Sequence, residues 1–329
     1  MNQLYRALHM PPRRLLRKVM GEKEIYTVAV RRRPEGAGAD PLPALGAEPY
    51  RQLPGREGFW YADPLLFHKD GGRWLFAEAM DRAAGKGRIE VCELAADGTA
   101  GPWQVALEEA FHLSFPMVFS WNDAIWMIPE SGADHSLRLY RCREFPTGWE
   151  LVQRFAVDGA LCDAILVDRT PEALTLLCSE TKPDNQLFVR YRRYTLRRAA
   201  APGPQLPGTE PAPAPEGPFE LLPDEAFNLQ HRTFDLTSRN AGPLFLLGEQ
   251  VVRPTQVSTR VDYGVYLQFL VRRGHSEVPL CAAMPRAVQI EGLDPADIIG
   301  IHTYCRDEAL EIIDARYLTK DKAKGNPHP

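Results

Sequence analysis

The chain has 329 residues, 44% hydrophobic, 25% charged and 9% aromatic, which excludes a disordered, fibrous or small disulfide-stapled protein. Its 29 prolines and 25 glycines, with no Ala/Leu/Lys/Glu heptads, exclude a helical bundle and favour many short strands. The formal charge of −4 is too small for nucleic-acid binding by the whole chain, yet residues 1–34 hold nine Lys/Arg against two Glu, a local +7 that leaves −11 for the rest.

The start, MNQLYRALHMPPRRLLRKVM, is broken by Pro11-Pro12 and by basic residues and lacks the apolar run of a secretory signal. No stretch approaches 18 apolar residues, so no membrane span is expected. Residues 1–25 read as a basic helical segment. A helix from Pro12 to a stop at Gly21 has Leu15, Leu16, Val19 and Met20 on one side and Arg13, Arg14, Arg17 and Lys18 around it. A solvated helix on the domain edge is its plain reading; peripheral contact of residues 1–20 with anionic lipid is left open. Six widely separated cysteines, Cys92, Cys142, Cys162, Cys178, Cys281 and Cys305, form no C-x-x-C pair and point to reduced thiols in a cytoplasmic protein, with the inner membrane face as the alternative location.

Residues 26–318 repeat one phrase: an apolar run, a turn, and a second apolar run, closed in the clearest copies by a polar residue. Ala62-Asp63-Pro64-Leu65-Leu66-Phe67 turns at Asp70-Gly71 into Trp74-Leu75-Phe76-Ala77-Glu78. Ser114-Phe115-Pro116 to Phe119 turns at Asn122-Asp123 into Trp126 to Glu130 in the same spacing. Cys162-Asp163 to Val167 and Leu174 to Ser179 form the third copy, Ala241 to Phe245 and Val251 to Gln256 the fourth, and Gly300 to Tyr304 and Leu310 to Asp314 a looser fifth. Early copies continue into an alternating third strand, such as Gly87–Leu94, and an outer strand beginning Trp103, Trp149 or Phe219. This predicts an all-β fold, a five-bladed β-propeller with four-stranded blades and a short basic N-terminal helix. Residues 26–33, beginning Tyr26-Thr27-Val28-Ala29-Val30, are expected to close the ring with the last blade; a jelly roll is the rival arrangement. Residues 199–218, where 15 of 20 are Ala, Pro or Gly, read as an extended loop, and residues 319–329 as a disordered tail.

In a propeller the innermost strands begin around one mouth of the central channel, and the antiparallel second strand returns to it. Hairpin symmetry sets residue 63 opposite 78 and residue 115 opposite 130. Asp63, Glu78, Glu130, Asp163, Gln256 and His302 are therefore expected at one mouth. Carboxylates from different blades around one cavity suit glycosidic chemistry, in which one acid protonates the leaving oxygen and one carboxylate activates water or attacks. Asp63, Glu130 and Asp163 are the candidates for that chemistry. Glu78, Arg253, Gln256 and His302 are candidates for binding hydroxyl or anionic groups, with Trp60 and Phe115 for stacking on a sugar ring. Each has a plainer alternative: a strand-end cap for Asp63 and Glu130, an arginine partner for Asp163, a charge partner for Glu78 and Arg253, a satisfied core histidine for His302. His68, His112 and His135 lack ligand spacing, and neither metal nor cofactor is expected.

Phe59-Trp60-Tyr61-Ala62-Asp63-Pro64, Gly85-Lys86-Gly87-Arg88-Ile89, His112-Leu113-Ser114-Phe115-Pro116, Met127-Ile128-Pro129-Glu130-Ser131, Leu139-Tyr140-Arg141, Arg253-Pro254-Thr255-Gln256 and Gly300-Ile301-His302-Thr303 together resemble the N-terminal domain of plant glucosamine inositolphosphorylceramide transferases. The resemblance runs from about residue 55 to 318. That domain is in turn similar to the five-bladed propellers of arabinanases, β-xylosidases and fructan hydrolases, which implies a base or nucleophile at Asp63, with Glu130 and Asp163 carried over as acid and modulator. Two departures stand out: the Pro-rich insertion, and Val257-Ser258-Thr259-Arg260 where the family more often places Asp-Cys-Ser. Three functions follow as expectations. The first is glycosidase-like hydrolysis or transglycosylation on a glycan or glycolipid head group. The second is a non-catalytic module binding glycan or sugar nucleotide beside a separate glycosyltransferase. The third is a protein-interaction propeller.

Overall fold

A computed structural model describes residues 10–33, 48–199, 218–273 and 276–320. Most of the Pro-rich loop and all but two residues of the C-terminal tail fall outside these ranges. Blade one comprises β3 (Phe59–Lys69), β4 (Gly72–Asp81), β5 (Lys86–Leu94) and β6 (Gln104–Leu107). Blade two comprises β7 (Ser114–Trp121), β8 (Ala124–Glu130), β9 (Ser136–Glu144) and β10 (Gly148–Ala156). Blade three comprises β11 (Ala160–Arg169), β12 (Ala173–Lys182), β13 (Asn185–Arg198) and β14 (Phe219–Pro223). In blade four the innermost strand is split into β15 (Arg239–Asn240) and β16 (Phe245–Leu247), followed by β17 (Gln250–Val257), β18 (Tyr266–Arg273) and β19 (Ser276–Ala283). Blade five splits likewise into β20 (Ile298–Gly300) and β21 (Tyr304–Arg306), then β22 (Leu310–Lys320), and is completed from the other end of the chain by β1 (Glu22–Arg32) and β2 (Arg51–Gln52).

The repeated phrase thus forms five blades, and β1 closes the ring, pairing with β22 from Glu22 opposite Lys320 to Arg32 opposite Leu310. A helix, α1 (Pro12–Val19), precedes it. A second, α2 (Glu225–Gln230), unforeseen in the sequence, starts at Asp224, whose carboxylate accepts the Phe227 amide.

Simple hairpin symmetry is off by one residue at the mouth. Leu65 faces Phe76, but Ala62 rather than Asp63 faces Glu78; Met117 faces Ile128 and Ser114 faces Glu130. Ile165 faces Leu177 and Cys162 faces Ser179. Each innermost strand carries one extra residue there, a β-bulge, which bends the strand and re-aims a side chain. The bulged residues Asp63, Phe115 and Asp163 have φ of 50°, 42° and 47°, a left-handed conformation costly for any side-chain-bearing residue.

Facing sheets bury aromatic clusters. Trp121, Trp126 and Phe219 lock blade two to blade three, and Phe76, Phe145 and Trp149 lock blade one to blade two. Gly242, at φ 146°, leaves no room for a side chain, since a Cβ there would lie 1.9 Å from the Tyr304 carbonyl oxygen of blade five.

Candidate functional site at the propeller mouth

The bulges and the returning strands bring Asp63, Glu78, Glu130, Asp163, Gln256 and His302 together, with Asp314 from the end of the fifth repeat. All except Glu130 are buried; the Glu130 side chain keeps 18% exposure.

One half of the mouth is built on Asp314. Its carboxylate accepts the backbone amides of Asp63, His302 and Thr303 at 3.0, 3.0 and 2.9 Å, and lies 2.6 Å from His302 Nδ1. The Thr303 hydroxyl donates to Asp63 Oδ1 at 2.7 Å. Burial alone would raise Asp314, but the His302 imidazole and these amides hold it below the ordinary carboxylate range. His302 titrates above its usual value because the Asp314 and Asp63 carboxylates outweigh its burial. Asp63 is pushed up to about 6 by burial, partly offset by His302 and reinforced by the charges of Asp314 and Asp163.

The other half is built on Arg239. Its Nε donates to Asp163 Oδ2 at 2.5 Å, and its terminal nitrogen lies 3.6 Å from Glu130. Asn240 donates to the Asp163 carbonyl at 2.8 Å. Gln256 donates to the Asn240 carbonyl at 3.1 Å and reaches Asp163 at 3.4 Å. Burial and the neighbouring Asp163 charge keep Glu130 protonated far above the usual range, against the pull of Arg239. Glu78 is raised likewise by burial and by Asp63 and Glu130. The Gly87 amide donates to His112 Nδ1 at 2.9 Å, which puts the ring proton on Nε2, 3.6 Å from Glu78. Gly87 is required there because a Cβ would approach His112 and Glu78 to 2.7 and 2.9 Å.

The mouth therefore holds carboxylic acids able to give a proton, Glu78 and Glu130, together with Asp163 paired to Arg239 and Asp314 paired to His302. Two groups, Asp63–His302–Asp314 and Glu130–Cys162–Asp163, have ligand atoms within 4.8 Å of one another and could hold a metal ion. A row of rings borders the site: Trp60 to Tyr26 at 5.0 Å, Tyr26 to His302 at 4.8 Å, His302 to Tyr263 at 5.4 Å, and the Arg239 guanidinium 4.7 Å from the Tyr263 ring centre. Arg239 and Tyr263 open onto a cavity of about 490 Å³ walled by Pro183–Leu187 of the β12–β13 hairpin.

Two expected ligand-binding residues are placed otherwise. Phe115 is fully buried in the apolar core, because its bulge turns a ring rather than a carboxylate inward, so it offers no face to a sugar. Arg253 is also buried, its nitrogens donating to Glu277, Asn240 and Tyr191, and as a charge partner of Glu277 it ties blade three to blade four instead of facing a ligand. Trp60 is half-buried in a groove between blades five and one. Among the residues missed, Asp314 had a signal, since it ends the second strand of its repeat as Glu78 and Glu130 end theirs. Arg239, Tyr263 and Tyr26 had none, because neighbouring blades or the closing strand bring them in.

The family model described as glucosamine inositolphosphorylceramide transferase 1, N-terminal, matches residues 52–191. This stretch resembles the N-terminal region of glucosamine inositolphosphorylceramide transferase 1. It contains Asp63, Glu78, Glu130 and Asp163, while Arg239, Gln256, His302 and Asp314 lie beyond it. Glucosamine inositolphosphorylceramide transferase 1 of Oryza sativa subsp. indica is 37% identical over 109 residues, and that of Arabidopsis thaliana 37% over 107. The aligned stretch is 32% of this chain and 14% of each plant protein. Among solved structures, the catalytic domain of the Coprinopsis cinerea GH62 alpha-L-arabinofuranosidase aligns with 11% identity and a TM-score of 0.46, over 78% of this chain and 90% of that one. An exo-1,5-alpha-L-arabinanase from a bovine ruminal metagenomic library aligns with 12% identity and a TM-score of 0.39, over 78% and 92%. The glucosamine inositolphosphorylceramide transferase N-terminal-like stretch thus spans blades one and two and part of blade three.

Proposed function

We propose that the propeller acts on a glycan or glycolipid head group by acid/base glycosidic chemistry at this mouth, with Glu130 as proton donor and Asp63 as base or nucleophile, Asp163 modulating Glu130. The observation that carries the reading is Glu130, held well above the ordinary carboxylate range by burial and the Asp163 charge, at the same mouth as Asp63, which burial raises only to about 6. Environments that push neighbouring carboxyl groups apart in pKa divide them into acid and base. Trp60 would stack on a sugar face, and Glu78, Gln256 and His302 would bond hydroxyls. The plant relatives' printed name, glucosamine inositolphosphorylceramide transferase 1, supports a glycolipid head group as the substrate class. A cytoplasmic location belongs to the same proposal and is tested by cell fractionation.

The test is turnover of a panel of aryl glycosides and inositol-phosphate glycolipids by wild type, Asp63→Asn, Glu130→Gln and Asp163→Asn. The expected result is a loss of about 10²-fold or more in kcat for each variant, with glycan binding retained. Unchanged turnover removes these residues from the mechanism. A second reading, a sugar-binding module serving a separate glycosyltransferase, is favoured by the match being to an N-terminal region of larger transferases. Glycan or sugar-nucleotide binding by wild type with no turnover selects it.

A further inference from the structure

Helix α1 is turned inside out. Its basic side is fastened to the propeller rim: Arg14 bonds Asp262 and Glu24, Arg17 bonds Glu22 and Asp297, and Lys18 bonds Glu24. Its apolar residues point away from the protein, with Leu16, Val19 and Met20 exposed by 59%, 77% and 60%. Beneath α1 lies a mainly apolar cavity of about 970 Å³, lined by Leu15, Val261, Met284, Ile298 and Ile299, by the ion-paired Arg14, Arg17, Lys18, Glu24 and Asp262, and by Arg286. Met284, 49% exposed, extends the apolar surface from a different segment. The four carboxylates beneath the helix are all ion-paired, and residues 1–34 as a whole carry nine Lys/Arg against two Glu. An apolar face over an acyl-chain-sized cavity, set in a basic segment, complements a lipid surface rather than water.

We propose that α1 and Met284 form a docking face for an anionic bilayer, with Leu16, Val19 and Met20 entering the headgroup–acyl boundary. Asp262, which anchors Arg14 and Arg316, immediately precedes Tyr263, the ring beneath Arg239 and beside His302. Docking there brings the mouth alongside lipid headgroups. That consequence rests on the proposed function, whereas bilayer binding does not, so vesicle binding and turnover fail separately.

The full chain is sedimented with phosphatidylcholine vesicles carrying about 30% phosphatidylserine, and with pure phosphatidylcholine vesicles. Wild type is expected to bind the anionic vesicles, more weakly in high salt, and the combined Leu16→Glu, Val19→Glu, Met20→Glu variant at least about tenfold more weakly. Should that variant not fold, Met284→Glu, outside the helix, is expected to weaken binding several-fold. No binding by wild type overturns the proposal. Undiminished binding by a folded variant also does so, as does sedimentation showing the face engaged between two copies of the chain instead.

Discussion

The Asp314 carboxylate gathers three backbone amides and the His302 ring from two neighbouring segments. Its removal strands buried donors and an imidazole together, so Asp314→Ala is expected to cost about 3–5 kcal/mol. Asp314→Asn, which keeps one acceptor oxygen, should cost less, both measured by chemical denaturation. The raised carboxyls act on stability in the opposite pH direction from Asp314. Glu78 and Glu130 contribute fully below their unfolded value, about 4.3, and that stability is lost as pH rises through their elevated folded values. For Asp63 the loss falls between about 3.9 and the folded value of about 6. The lowered Asp314 stabilises above about 3.9 and loses that contribution only as pH falls through its folded value. Denaturation midpoints should therefore decline as pH rises from about 4 through about 6, and Glu78→Gln should flatten the decline.

Among the elements, the bulged innermost strand does most to shape the mouth. Blades one to three place a left-handed residue at the same step, Asp63, Phe115 and Asp163; two aim carboxylates into the site and one fills the core. Hairpin symmetry in the sequence located this step within one residue, since a turn and its flanking strands are set by near neighbours. It could not show the bulge, which in blade one is braced by the Asp63 amide donating to the Asp314 carboxylate of blade five. Asp63→Gly and Asp63→Ala both lack the carboxylate, but glycine tolerates φ of 50°. The glycine variant should be more stable by about 1 kcal/mol, read from paired urea unfolding curves.

For the whole molecule, ring closure is the step on which the site depends. β1 supplies Tyr26 to the mouth and also Arg31, whose guanidinium forms a buried pair with Glu311, 2.6 Å away. Arg31→Ala leaves buried Glu311 with only the Tyr50 and Tyr304 hydroxyls and Arg33 at 3.9 Å and should cost about 3 kcal/mol. Deleting residues 1–33 should abolish cooperative melting in circular dichroism. By itself the sequence determined the five repeats, their hairpins, the closing strand, and the presence of Asp63, Glu78 and Glu130 at one mouth, because each depends on alternation and turns within a few tens of residues. Only the tertiary structure decided that Asp163 meets Arg239, that Thr303 meets Asp63 from 240 positions away, that Arg253 is spent on a blade junction, and that α1 turns its charges inward. These contacts join segments far apart in the chain, so no local stretch of sequence carries them.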